Sequence, residues 1–169
     1  VPYWELSAGA AASADSPQAG ARCLELVAGE KEVSASLRSD FWNVKDPAMP
    51  FGLPIVPGTK IKLSFFYRTS DGLKAETLKC LIKLGTVAGL PSETREFTLS
   101  PVRDWQRYEV ILETSSLKWG AEVRFVLSPG EDGARAWIDE VEMYQEVNLE
   151  NLVSNHSFEE LDPTGLWPS

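Results

Sequence analysis

The chain has 169 residues, 43% of them hydrophobic, and a formal net charge of −9. That length supports one domain with a substantial core, one that buries roughly 70% of the extended chain's surface. The negative charge argues against nucleic acid or an anionic membrane as a partner, since both need clustered cations, and no apolar run approaches the ~20 residues of a membrane helix.

The chain opens with a strand-like Tyr3-Trp4-Glu5-Leu6, followed by a run of small residues, Ala8 to Ala14, that reads as a loop. Short stretches of period two follow at Cys23–Ala28 and Val33–Arg38. Between Asp40 and Pro57, four prolines (Pro47, Pro50, Pro54 and Pro57) rule out a helix or a central strand. The same connection carries Phe41, Trp42, Met49 and Phe51, which a solvated linker would lack. A loop of this length that holds aromatics is expected to be functional.

Beyond it the alternation is strong. Ile61, Leu63, Phe65 and Tyr67 form one apolar row, Leu78, Cys80, Ile82 and Leu84 a second, Tyr108, Val110 and Leu112 a third, and Val123, Phe125 and Leu127 a fourth. A shorter run lies at Glu96–Ser100, and turns are marked by Pro57-Gly58, Asp71-Gly72, Pro129-Gly130 and Asp132-Gly133. Eight or so strands with almost no helix predict an all-β fold. The expected form is a β-sandwich of jelly-roll type, made of two antiparallel sheets of about four or five strands each. Phe65 and Tyr67 belong to its core.

The last regular stretch is Ala136-Trp137-Ile138-Asp139-Glu140-Val141-Glu142-Met143, a strand in which two acidic residues interrupt the alternation. A carboxylate that faces a core costs several kcal/mol unless a cation meets it. Either a bulge turns Asp139 outward or Asp139 binds an ion. After Glu146 the pattern breaks, which divides the chain into a sandwich over residues 1–147 and a tail over 148–169.

Signals for catalysis are scarce. His156 is the sole histidine, which excludes histidine metal clusters, and there is neither a G-x-S-x-G nor a glycine loop suited to phosphate. Carboxylate pairs are too common in an acidic chain to single out a glycosidase pair. The chain is therefore expected not to be an enzyme. Cys23 and Cys80 lack any C-x-x-C spacing and are open to two readings, one disulfide or two buried thiols.

Four short motifs occur together: Trp137-Ile138-Asp139-Glu140-Val141, Asn155-His156-Ser157-Phe158-Glu159, Pro57-Gly58-Thr59 before Leu63-Ser64-Phe65, and Asp104-Trp105-Gln106-Arg107-Tyr108. Jointly they resemble the galactose-binding-like jelly-roll carbohydrate-binding modules, the group around families four, nine, sixteen and twenty-two. In that group the N-x-x-F-E element opens the module, whereas here it lies near the end of the chain. The resemblance implies non-catalytic binding of a polysaccharide or oligosaccharide, as part of a larger secreted or cell-surface protein. A structural or adhesive spacer with the same fold is the alternative, because fold alone does not establish function.

The resemblance also implies a structural calcium ion. Its side-chain ligands would be Asp139 and Glu159, with a carbonyl near Ser157 and others from the Ala28–Lys31 turn, and Ca²⁺ accepts six to eight oxygens in irregular geometry. For the sugar, Phe41 and Trp42 in the long loop and Trp119 before a strand are the expected stacking residues. Arg68 and Arg124 are the expected hydrogen-bonding cations. Trp105 and Trp137 occupy positions that are structural in the group and are assigned to the core. The tail either begins a following module or completes this one in permuted order. In the second case Asn151–Glu159 pairs as a strand, within its own chain as a monomer or by exchange in a strand-swapped dimer.

Overall fold

The computed structural model describes residues 3–38, 53–86, 92–130, 133–146 and 158. It contains eleven strands: β1 (Tyr3–Leu6), β2 (Ala10–Ser13), β3 (Cys23–Val27), β4 (Val33–Arg38), β5 (Leu53–Pro54), β6 (Lys60–Thr69), β7 (Leu78–Thr86), β8 (Glu93–Leu99), β9 (Gln106–Glu113), β10 (Lys118–Leu127) and β11 (Arg135–Gln145). No helix occurs among the described residues. One sheet runs β1-β4-β10-β7-β8, with β5 also paired to β10, and the other runs β2-β3-β11-β6-β9. The fold is an all-β sandwich of two antiparallel sheets, as the alternation predicts.

The core lies between the sheets and is built from the apolar rows of the sequence. Ile61, Leu63, Phe65 and Tyr67 of β6 face Leu78, Cys80, Ile82 and Leu84 of β7 and Val123, Phe125 and Leu127 of β10, all buried. Phe65 and Phe125 meet edge to face with ring centroids 4.9 Å apart, which ties the two sheets together at their centre. Tyr67 is buried as expected and donates its hydroxyl hydrogen to the Ser100 carbonyl at 3.2 Å. Cys23 and Cys80 are both free thiols. Cys80 lies in the core, and Cys23 is buried on the opposite side of its own sheet.

The small-residue run does not form the expected loop throughout. Ala10–Ser13 is strand β2, paired with β3, because alanines can line an edge strand where little side-chain volume is needed. The chain changes sheets between β1 and β2 at Gly9, whose φ is +92°. A Cβ there would come within 2.9 Å of Val33 and 3.1 Å of the Val27 carbonyl, so glycine is required twice over. Within the proline-rich connection, β5 is a two-residue bridge to β10 and not a central strand.

Strand β11 contains the bulge that the acidic pair suggested. Its register against β6 shifts between Asp139 and Glu142, and Glu140 adopts a φ of +49°. Before the shift Ala136 and Ile138 point into the core; after it Val141 and Met143 do. Without that one extra residue, Val141 and Met143 would face outward and Glu140 and Glu142 inward; Asp139 faces outward beside Trp137 by plain alternation, so it is not the bulge that turns it out.

Candidate functional site

The outer face of the six-stranded sheet carries an open groove of about 300 Å³ lined by Glu5, Leu6, Ser7, Ser34, Ser36, Glu122 and Arg124. Strand alternation assembles it. In β4, Val33, Ala35 and Leu37 point inward, which turns Ser34 and Ser36 out. Pairing then sets Glu5 beside Ser36 and Ser36 beside Arg124, one polar row across three strands. Glu122 follows two residues before Arg124 on the same face, opposite Lys83 of β7.

Arg124 donates from Nη2 to the Glu32 carboxylate at 3.0 Å and to the Ser34 hydroxyl at 3.2 Å. Its Nε–H is buried without a partner among the described residues. The Glu122 carboxyl is raised above the usual range, chiefly by burial; Lys83 and Arg124 counteract this, and Glu5 adds to it. The groove thus presents acceptors (Glu5 and Glu122), donors (Arg124), and hydroxyls that do both. The sequence singled out Arg124 in this groove but missed Glu5, Ser34, Ser36 and Glu122. The available signal was the polar half of the β4 and β10 alternation.

Arg68 does not join this site. It belongs to β6 in the five-stranded sheet, on the far side of the sandwich from Arg124. Its guanidinium lies 3.9 Å from the Trp137 ring centroid and 5.3 Å from that of Trp105. It also donates to the Asp15 carbonyl at 2.7 Å and pairs with the Asp15 carboxylate at 3.6 Å. These contacts fasten Arg68 to the outer face of the five-stranded sheet, apart from the groove that holds Arg124. Trp137 is buried, as expected, but against Arg68 on the outer face and not between the sheets. Trp105 is only half-buried, a correction to its assignment to the core, and its Nε1–H donates to the Ser16 carbonyl at 3.0 Å. It precedes β9, where the sheet's edge leaves one side without a covering layer.

Asp139 lies on that same outer face and is fully buried. Its Oδ2 accepts the backbone N–H groups of Gln18 at 2.9 Å and Ala19 at 3.1 Å, and its Oδ1 accepts that of Glu140 at 2.9 Å. Of the expected calcium ligands, the described ones, Asp139 and the carbonyls of Ala28 and Gly29, fit poorly around one ion. Both lone pairs of Oδ2 already face hydrogens. The carbonyls of Ala28 and Gly29 accept from Gly133 and Gly130 at 3.2 and 3.3 Å. The register places Val27 opposite Arg135, about 13 Å along β11 from Asp139. No group of three or more metal-binding side chains occurs among the described residues. Ser157, Glu159, Phe41 and Trp42 lie outside the described residues. Trp119 is the extra residue of a bulge in β10, where the register shifts between Lys118 and Gly120; only its backbone is described.

One residue of the tail is described. Phe158 is fully buried, joins the inter-sheet core, and packs on Trp4 with ring centroids 5.2 Å apart. Trp4 in turn stacks on Phe125 at 5.9 Å.

Among solved structures, the CBM22-1 xylan-binding domain of Paenibacillus barcinonensis Xyn10C is similar over 86% of this chain and 92% of its own, at 11% identity and a TM-score of 0.57. A family 16 carbohydrate-binding module matches 80% of this chain and 85% of its own, at 14% identity and 0.55. The fold is that of the jelly-roll carbohydrate-binding modules. The enzymatically active domain of a bacteriophage CBA120 tailspike protein also matches, at 13% identity and 0.55, over 86% of this chain but 19% of its own. No family model and no curated protein matches the sequence.

Proposed function

We propose that this chain is a non-catalytic module that binds a polysaccharide or oligosaccharide in the groove of the six-stranded sheet, within a larger secreted or cell-surface protein. The observation that carries this reading is the groove itself, a polar trough on a sheet face of a carbohydrate-binding-module fold. Its volume is at the lower end of ligand sites, roughly 300–1,000 Å³, which suits one or two sugar rings of a chain that continues past both ends. A sugar ring offers hydroxyls that both donate and accept, and each must find a partner to replace water. Glu5 and Glu122 accept from such hydroxyls, Arg124 donates, and Ser36 does either. Phe41 and Trp42, which follow β4 in sequence, would supply the stacking faces.

The tail is proposed to complete this domain, with Phe158 as its anchor. Phe158 is buried against Trp4, and the reading places this contact within one chain, as a monomer, with exchange between two copies as the alternative.

Affinity electrophoresis against plant, algal and host glycans tests the binding function. Retarded migration on one or more soluble polysaccharides, lost in Arg124→Ala, is the expected result. A blank panel would favour the structural or adhesive spacer.

A further inference from the structure

We propose that Asp139 anchors a strap, residues 14–22, that seals part of the outer face of the five-stranded sheet, and that this task removes it from metal coordination. The strap has no regular structure, yet separate contacts hold it along its length. Asp15 is fixed by the Arg68 guanidinium through both its carbonyl and its carboxylate. The Ser16 carbonyl accepts the Trp105 indole N–H. Gln18 and Ala19 give their N–H groups to the Asp139 carboxylate. Beneath these contacts lie Cys23 and Asp139, both 0% exposed, and Trp137 at 5%.

The polarity of the Asp139 contacts decides the matter. A calcium ion needs oxygen lone pairs directed at it. At Oδ2 both are directed at hydrogens of the strap instead, so an ion there would displace Gln18 and Ala19 and expose the sheet face beneath. A carboxylate that accepts several backbone N–H groups is itself a strong structural contact, because charge-assisted hydrogen bonds are roughly twice as strong as neutral ones. The strap also covers the Arg68–Trp137 patch.

Amide hydrogen exchange of Gln18 and Ala19, followed by NMR in EDTA and again in millimolar calcium chloride, tests the proposal on the unaltered chain. Both amides are expected to exchange about 100-fold or more slowly than an open loop, equally in the two buffers. Protection that appears only with calcium would overturn the proposal. In Asp139→Ala the two amides are expected to lose their protection, while core amides such as Phe65 keep theirs. Retained protection at Gln18 and Ala19 in that variant would overturn it as well. Glycan binding enters neither measurement, so the outcome is independent of the function proposed above.

Discussion

The Arg68 guanidinium stacks on the Trp137 indole at 3.9 Å, and Trp105 lies 5.3 Å away on the same cation. A planar cation held by aromatic rings and ion-paired to Asp15 is a fastening between sheet and strap. Its side chain is only 16% exposed, so the contacts are poorly screened.

Arg68→Lys keeps the charge but loses the planar face and the fork of donors. Desolvated cation–π contacts contribute about 2 kcal/mol and hydrogen bonds from charged groups about 1.5–3 kcal/mol. The expected loss is about 2–3 kcal/mol in urea unfolding, with a change in tryptophan emission. An unchanged midpoint would show that the stack is incidental.

Phe158→Ala removes a fully buried aromatic from the core beside Trp4. Such truncations cost about 3–5 kcal/mol. Cutting the chain after Glu146 is expected to destabilise it at least as much. If the shortened chain keeps its melting temperature, the tail does not belong to this domain.

In the groove, Arg124→Ala is expected to weaken glycan binding about tenfold or more. It removes one charge-assisted donor, and each 1.4 kcal/mol of binding energy is a factor of ten. Stability should change little, because Arg124 is 41% exposed and its pair with Glu32 is worth at most ~1 kcal/mol. Isothermal titration against whichever glycan retards migration, together with a thermal melt, separates the two effects.

Ionising Asp139 places a charge where water has no access. Burial raises its carboxyl from 3.8 to about 6, and the N–H groups of Ala19, Glu140 and Gln18 offset only part of this. Between those values the folded chain holds a proton that the unfolded chain has released. Stability contributed by this group is therefore complete below about 4, falls as pH rises, and is lost above about 6. The span corresponds to roughly 3 kcal/mol. Asp139→Asn removes the titration and sets an amide hydrogen against a backbone N–H, costing about 1–3 kcal/mol. The difference in stability between wild type and this variant should shrink from pH 4 to pH 6. A constant difference would contradict the assignment.

Cys23 lies near Asp139, under the strap, and its thiol is pushed up to about 12, mainly by burial and then by the Asp139 charge. It is expected to resist thiol reagents at pH 8 in the folded chain and to react once Asp139→Ala loosens the strap, which an absorbance assay with an aromatic disulfide reads directly.

The sandwich was legible in the sequence because strand alternation is local: every second residue of β6, β7 and β10 is apolar, and burying one face of each forces two packed sheets. The acidic interruption at Asp139 and Glu140 marked the place for the same reason and left a bulge or a bound ion as the alternatives; the bulge follows Asp139 and turns Glu140 and Glu142 away from the core. Which residues share an outer face is a matter of pairing partners. Arg68 and Arg124 look alike in the sequence, each the outward residue of a period-two run, yet strand order sets them on opposite sides of the molecule. The neighbours of Asp139 likewise come from a strap more than a hundred positions earlier in the chain. The sequence by itself determined the class of fold, the core rows and the place of the acidic interruption. The tertiary structure alone decided that Glu5, Ser36 and Arg124 form one row, and that backbone N–H groups fill the carboxylate of Asp139. Side-chain direction repeats every two residues and is written locally, whereas strand order and long-range hydrogen bonds depend on the whole chain closing on itself.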